Sequence, residues 1–160
     1  IKQTINGKGS VDEAMGTEKT SWEEAKADIL GLFMVCKLIE KGEITNITKE
    51  DAITTFIAGI LRSVRFGAAS SHGKANMMCY NYMQQNGAFT RNADGKYHID
   101  YAKAEEAIAG WANIIITTQG EGNQEFAREY REKNGSITPE LQADLDKINS
   151  SSIPRDIRFR

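Results

Sequence analysis

The chain has few of the residues that most often carry chemistry or cross-links. Its 160 residues include two histidines, two cysteines and two prolines. The histidines, His72 and His98, lie far apart, so neither has a histidine partner at the spacing of a helical zinc motif. Cys36 and Cys79 both fall in apolar stretches, which predicts buried free thiols rather than a disulfide. Neither sign of charge dominates: 20 Lys and Arg against 22 Asp and Glu leave a net charge of -2. That removes the basic bias of a nucleic-acid partner and leaves no acidic tail. Arg155, Arg158 and Arg160 make the last residues basic only locally. The longest apolar stretch, Ile29 to Ile39, is interrupted by Lys37 and is too short to span a membrane. No secretory signal is visible. The chain opens with Ile1 rather than Met, which predicts a fragment or a processed form. A soluble protein is expected, with its compartment open between cytoplasm and periplasm.

What is present reads as a folded domain. Hydrophobic residues make up 40% and charged residues 26%, a globular balance. Residues 1–19 form an entry loop with a helical turn at Val11 to Met15. Thr20, three residues before Glu23, predicts a capping box opening a helix that stops at Gly42. From Ile29 onward apolar residues cover most of that helix, which predicts a buried, central element. Thr48 caps a second helix, with Ile53, Phe56, Ile57, Ile60, Leu61 and Val64 at helical spacing. A third covers about Ser71 to Gln85. Ala88 to Ile99, turning at Asn92-Ala93-Asp94-Gly95, reads as a β-hairpin. Asp100 starts a helix that ends before Gly120, with Trp111 and Ile114 to Ile116 as core. An amphipathic helix follows over 123–133, and another begins at Thr138-Pro139. The tail from Asn149 reads as extended. The fold class is all-α: about six helices in one bundle-like domain spanning residues 1–160, with one small hairpin.

Glu24 and Asp28 are four residues apart and share a helix face, with Glu23 beside them. Such a group serves either as solvated acids near a helix start or as a metal ligand backed by acids that orient histidines. The run Glu23-Glu24-Ala25-Lys26-Ala27-Asp28 resembles the second signature of the dipeptidyl peptidase III family of zinc exopeptidases, Glu-Glu-Cys-Arg-Ala followed by Glu or Asp. This chain has Ala25 for Cys and Lys26 for Arg. The resemblance implies that Glu24 binds zinc and that Glu23 and Asp28 support the histidine ligands. The loop Ile5-Asn6-Gly7-Lys8-Gly9 resembles bacterial members, where it follows a His-Glu-x-x-His motif supplying two histidine ligands and the water-activating glutamate. That motif is absent from this chain, which is expected to begin just beyond it.

A second segment, Arg62 to Asn76, combines small residues, two arginines and His72 at a helix junction. In isolation His72 is either a structural, hydrogen-bonded histidine or a donor to an oxyanion. His72 and Ala75 match a His-x-x-Ala pattern of the same family, which implies a transition-state role for His72. Asn76 departs from the family's arginine. Arg62 and Arg65 either contact a substrate carboxylate or pair with acids such as Asp51. His98 reads as a surface or packed histidine. The implied function is part of a zinc-dependent exopeptidase acting on a peptide substrate. Zinc and the remainder of the same polypeptide complete the site, and the fragment alone is expected to be inactive and to hold no metal. The other reading is a non-catalytic helical interaction domain.

Overall fold

Short-range capping sets nearly every helix start in this computed structural model, which describes residues 1–156. Ser10 caps α1 (Val11–Met15), Thr48 caps α3 (Lys49–Val64) and Ser70 caps α4 (Ser71–Gln85). Asp100 caps α5 (Tyr101–Glu121), Asn123 caps α6 (Gln124–Asn134) and Thr138 caps α7 (Pro139–Ser150). In each case a side-chain oxygen accepts from a backbone N–H of the first turn that has no helical partner. Between α4 and α5, β1 (Phe89–Arg91) pairs antiparallel with β2 (Tyr97–Ile99), Thr90 opposite His98. The chain is a mostly helical domain with one two-stranded hairpin, as its sequence predicts. Arg158 and Arg160 lie outside the described residues.

The central helix, α2 (Lys19–Glu40), starts differently. The expected Thr20–Glu23 capping box is not formed. A 3-10 turn, Gly16–Glu18, leads directly into α2, and Glu18 at its end is already helical (φ -82°, ψ -17°), where a cap needs extended backbone. Glu18 is 3% exposed, and Arg131 of α6 donates to it from Nε at 2.5 Å and Nη2 at 3.0 Å. This bidentate pair holds the last residue of the turn in the core. No acidic residue stands in the first turn of α2, so Glu23, Glu24 and Asp28 occupy its second and third turns.

One stripe of α2, Trp22, Ala25, Ile29, Leu32 and Cys36, is buried at three- and four-residue spacing against α3, α4 and α5. The opposite face is not buried as the apolar run predicts: Met34 is 54% exposed. Around Trp22 the packing is aromatic. Its ring lies 5.8 Å from Trp111, which stacks on Tyr130 at 5.1 Å and on Tyr82 at 5.3 Å. Trp22 Nε1 donates to the Ala127 carbonyl at 3.2 Å. Four helices therefore meet at one pair of indoles. On α5, Trp111 and Ile115 are fully buried, but Ile116 is 39% exposed, and the helix ends at left-handed Gly122 rather than at Gly120. Both cysteines are buried free thiols.

Hairpin and α7 are joined by a second buried ion pair. Arg91 donates to Asp144 from Nε at 2.6 Å and Nη2 at 2.7 Å, and Tyr97 Oη donates to the same carboxylate at 2.8 Å. The Arg91 guanidinium holds Asp144 below the ordinary aspartate value, Tyr97 assisting against burial. A depressed carboxyl stabilises the fold above its unfolded pKa and loses that contribution as pH falls through the folded value. Asp144→Asn should therefore destabilise by about 3 kcal/mol at pH 7. In urea denaturation the gap from the parent should narrow as pH falls below about 4. An equal gap at pH 7 and pH 3 would remove the ion pair as its cause.

Candidate active site

The acidic segment of α2 presents its carboxylates in two directions, because consecutive helical residues diverge by about 100°. Glu23 faces α5. Its Oε2 accepts from Gln119 Nε2 at 3.0 Å and from Lys26 Nζ at 2.7 Å. Burial alone would raise the Glu23 carboxyl, but these two hydrogen bonds outweigh it and hold the group below the usual glutamate range. Glu24 and Asp28 face α4 instead. His72 Nδ1 lies 3.2 Å from Glu24 Oε2 and 4.0 Å from Asp28 Oδ2. The three side chains remain 45%, 36% and 50% exposed for Glu24, Asp28 and His72, so the cluster opens to solvent. Burial pushes the Asp28 carboxyl above its ordinary value. His72 opposes the rise and Glu24 adds to it.

His72 is held in place by the backbone ahead of it. Ser70 Oγ accepts from Gly73 N at 3.1 Å and puts His72 in the first turn of α4. The preceding loop folds tightly over that turn: a Cβ on Gly73 would stand 2.7 Å from Ala68 Cα and 2.8 Å from the Gly67 carbonyl. Gly67, with φ +94°, makes the approach possible. Next to it, Asn76 is buried and donates to Ser63 Oγ at 2.8 Å, tying α4 to α3. With Nδ1 directed at Glu24, the ring's Nε2 is the nitrogen left for a ligand. For both nitrogens to donate at once, the ring must be the imidazolium.

The remaining candidates separate. Arg65 donates to Asn149 Oδ1 at 3.0 Å and to the Ile153 and Pro154 carbonyls at 3.0 and 3.3 Å, so it fastens the C-terminal segment. Asp51 accepts from Thr48 in a capping box and forms no pair with Arg62. His98 is an exposed hairpin residue opposite Thr90. Gln119 was missing from the sequence-based site because it reads as the last residue of a helix. A polar residue inside the buried stripe of Trp111 and Ile115 was the available signal.

Among the described residues, no group of three or more His, Cys, Asp or Glu is placed to hold a metal ion. Zinc takes three or four protein ligands. The described residues therefore do not by themselves make a zinc site. No helix of the described residues is long and apolar enough to cross a membrane.

No family model matches the chain. It superimposes on the dipeptidyl-peptidase III of Corallococcus sp. strain EGB with a TM-score of 0.90 at 32% identity over 99% of the chain. For the DPP III of Caldithrix abyssi the TM-score is 0.88 at 27% identity over 98% of the chain. The chain spans 29% and 30% of those two proteins. Among curated proteins it is similar to Nudix hydrolase 3 of Arabidopsis thaliana, 36% identical over 138 residues. That match covers 86% of this chain and 18% of the relative, so the relative's name describes a protein mostly outside the match. The fold is that of a helical segment of the two superimposed proteins. More narrowly, what the chain resembles is one helical portion of dipeptidyl peptidase III structures.

The backbone contact at Gly73 gives a direct test of the histidine's placement. Gly73→Ala should destabilise by about 1–3 kcal/mol, since the obstructing atoms are backbone and cannot rotate away. The His72 ring resonances in NMR should shift with it. A variant as stable as the parent, with unmoved His72 signals, would show that the loop does not set the histidine.

Proposed function

We propose that the chain supplies the carboxylate side of a zinc exopeptidase active site that acts on peptide substrates. The observation carrying this reading is the contact between His72 Nδ1 and Glu24 Oε2 at 3.2 Å, which joins residues 48 apart in sequence. The two segments singled out by resemblance thus lie side by side on α2 and α4. In this reading Glu24 is a zinc ligand, and Glu23 and Asp28 orient the histidine ligands. Those histidines come from a segment outside this chain, whose own histidines are His72 and His98. Bound zinc polarises a scissile carbonyl and acidifies a water.

The residues on α2 and α4 have separable tasks. Glu24 uses Oε2 toward His72 and has Oε1 available for the metal. A ligating carboxylate that is also hydrogen-bonded keeps one orientation. His72, held by Glu24 through Nδ1, presents Nε2 as a donor to the oxygen that gains charge in the tetrahedral transition state. Asp28, with its raised affinity for a proton, hydrogen-bonds better than a solvated aspartate and lies on the same face. By itself the chain, with one strong carboxylate ligand, is expected to be catalytically silent.

The test compares zinc content and dipeptide release from peptide N-termini in the full-length polypeptide. Glu24→Ala should weaken zinc binding by more than the roughly 100-fold reached on losing a supporting residue. His72→Ala should keep zinc and lose about 10²–10³ in kcat. Unchanged zinc in Glu24→Ala would dismiss Glu24 as a ligand. A parent protein without zinc or peptidase activity would favour the non-catalytic helical module.

A further inference from the structure

Gln119 is 1% exposed, near the end of α5 beside buried Ile115 and Thr118. A glutamine is a poor choice there on packing grounds, because methionine fills a similar volume with no polar group to satisfy. Its Oε1 is buried without a hydrogen-bond partner among the described residues. The hydrogen bond its side chain does make is the one from Nε2 to Glu23 Oε2 at 3.0 Å. Turned over, the amide would aim its oxygen at a carboxylate, so this bond fixes the orientation. Lys26 Nζ donates to the same Oε2 at 2.7 Å. Two donors, from α2 and α5, therefore grip one oxygen of Glu23. Its Oε1 makes no hydrogen bond among the described residues and is open to a further donor.

The platform under Gln119 is itself fastened. Ile5 N donates to the Gly120 carbonyl at 2.7 Å, Asn6 Nδ2 to the Glu121 carbonyl at 2.7 Å and Lys8 Nζ to the Gly122 carbonyl at 3.3 Å. The entry loop thus holds the last turn of α5, and through Gln119 that turn holds Glu23.

We infer that Gln119 is a positioning residue for Glu23. It gives up packing stability to hold one carboxylate oxygen, so that the other is presented in a fixed direction next to Glu24. The inference rests on the proposed metal site for its consequence: an oriented Oε1 suits the N–H of an imidazole ligand. Its geometric core, the Gln119–Glu23 pairing, is independent of metal.

Side-chain amide NMR of the metal-free chain tests the pairing. The Gln119 amide protons should exchange slowly, and their resonances should move on Glu23→Ala and much less on Lys26→Met. Freely exchanging protons, or resonances indifferent to Glu23→Ala, overturn the inference. Gln119→Met then separates positioning from packing. The metal-free variant should melt at the parent temperature or above it. Its zinc affinity in the full-length polypeptide, measured with zinc alone against a chelator, should fall about tenfold. In a Glu23→Ala background, Gln119→Met should bring no further loss, because it acts only through that carboxylate. A lower melting temperature with intact zinc affinity makes Gln119 structural and overturns the inference. A parent polypeptide that binds no zinc sinks the proposed metal site, and the two failures stay distinct because the amide resonances report the pairing without metal.

Discussion

The packing of Trp22 against Trp111 sets the rotation of α2, and the placement of the acidic residues follows from that rotation. Trp22 is fully buried, its ring 5.8 Å from Trp111 and its Nε1 bonded to the Ala127 carbonyl. A helix anchored by an indole and a directed hydrogen bond cannot turn about its axis without emptying a large buried volume, a change that costs several kcal/mol. With that rotation fixed, the next residue, Glu23, meets α5, and Glu24 meets α4. The Glu18–Arg131 pair acts in the same place from the other side. It keeps the end of the 3-10 turn helical with Glu18 buried, so α2 enters the core before the acids. Tryptophan and ion pair together decide that the acids sit mid-helix among tertiary partners rather than at a frayed end.

That placement changes what the carboxylates can do. Acids in a first turn gain mainly from the helix dipole and point to water. In the second and third turns the dipole contributes little, and each acid takes its character from what faces it. Glu23 faces donors and is held ionised. Asp28 faces burial and a second carboxylate and is pushed toward its protonated form. Glu24 lies between them, half exposed with a histidine at hydrogen-bond distance. Three similar residues within six positions thus have different environments, a pattern typical of working sites.

How much of this was legible in the sequence depended on the range of the interactions. Thr48, Asp100 and Thr138 were readable as caps, because a cap is settled within four residues. Helix order, hairpin and core periodicity followed from local pattern. The Thr20–Glu23 box has the same local signature and fails, since Glu18 answers to Arg131, 113 residues away. The contact of His72 with Glu24 could be reached by resemblance but not by spacing. Arg65 was open between substrate and acids, and its actual partners are carbonyls of a segment with no distinctive sequence. Gln119 was visible only as a polar residue out of place in an apolar stripe.

Such misplaced polar residues separate fold from function in this chain. The core needs little from them: the stripes of α2, α3 and α5 close on apolar residues, and Gln119 could be methionine without leaving a cavity. A buried amide with an unpartnered oxygen lowers stability by about 1–3 kcal/mol, a large share of what a domain has in reserve. A group that weakens the fold and makes one directed contact has its value at the far end of that contact. The far end is Glu23, and Glu23 adjoins the carboxylate that His72 reaches from the other side. Two helices therefore approach α2 on different faces, each directing a nitrogen at one of two adjacent glutamates. Packing alone does not require that convergence, whereas the proposed metal site, whose carboxylates must not swing, would.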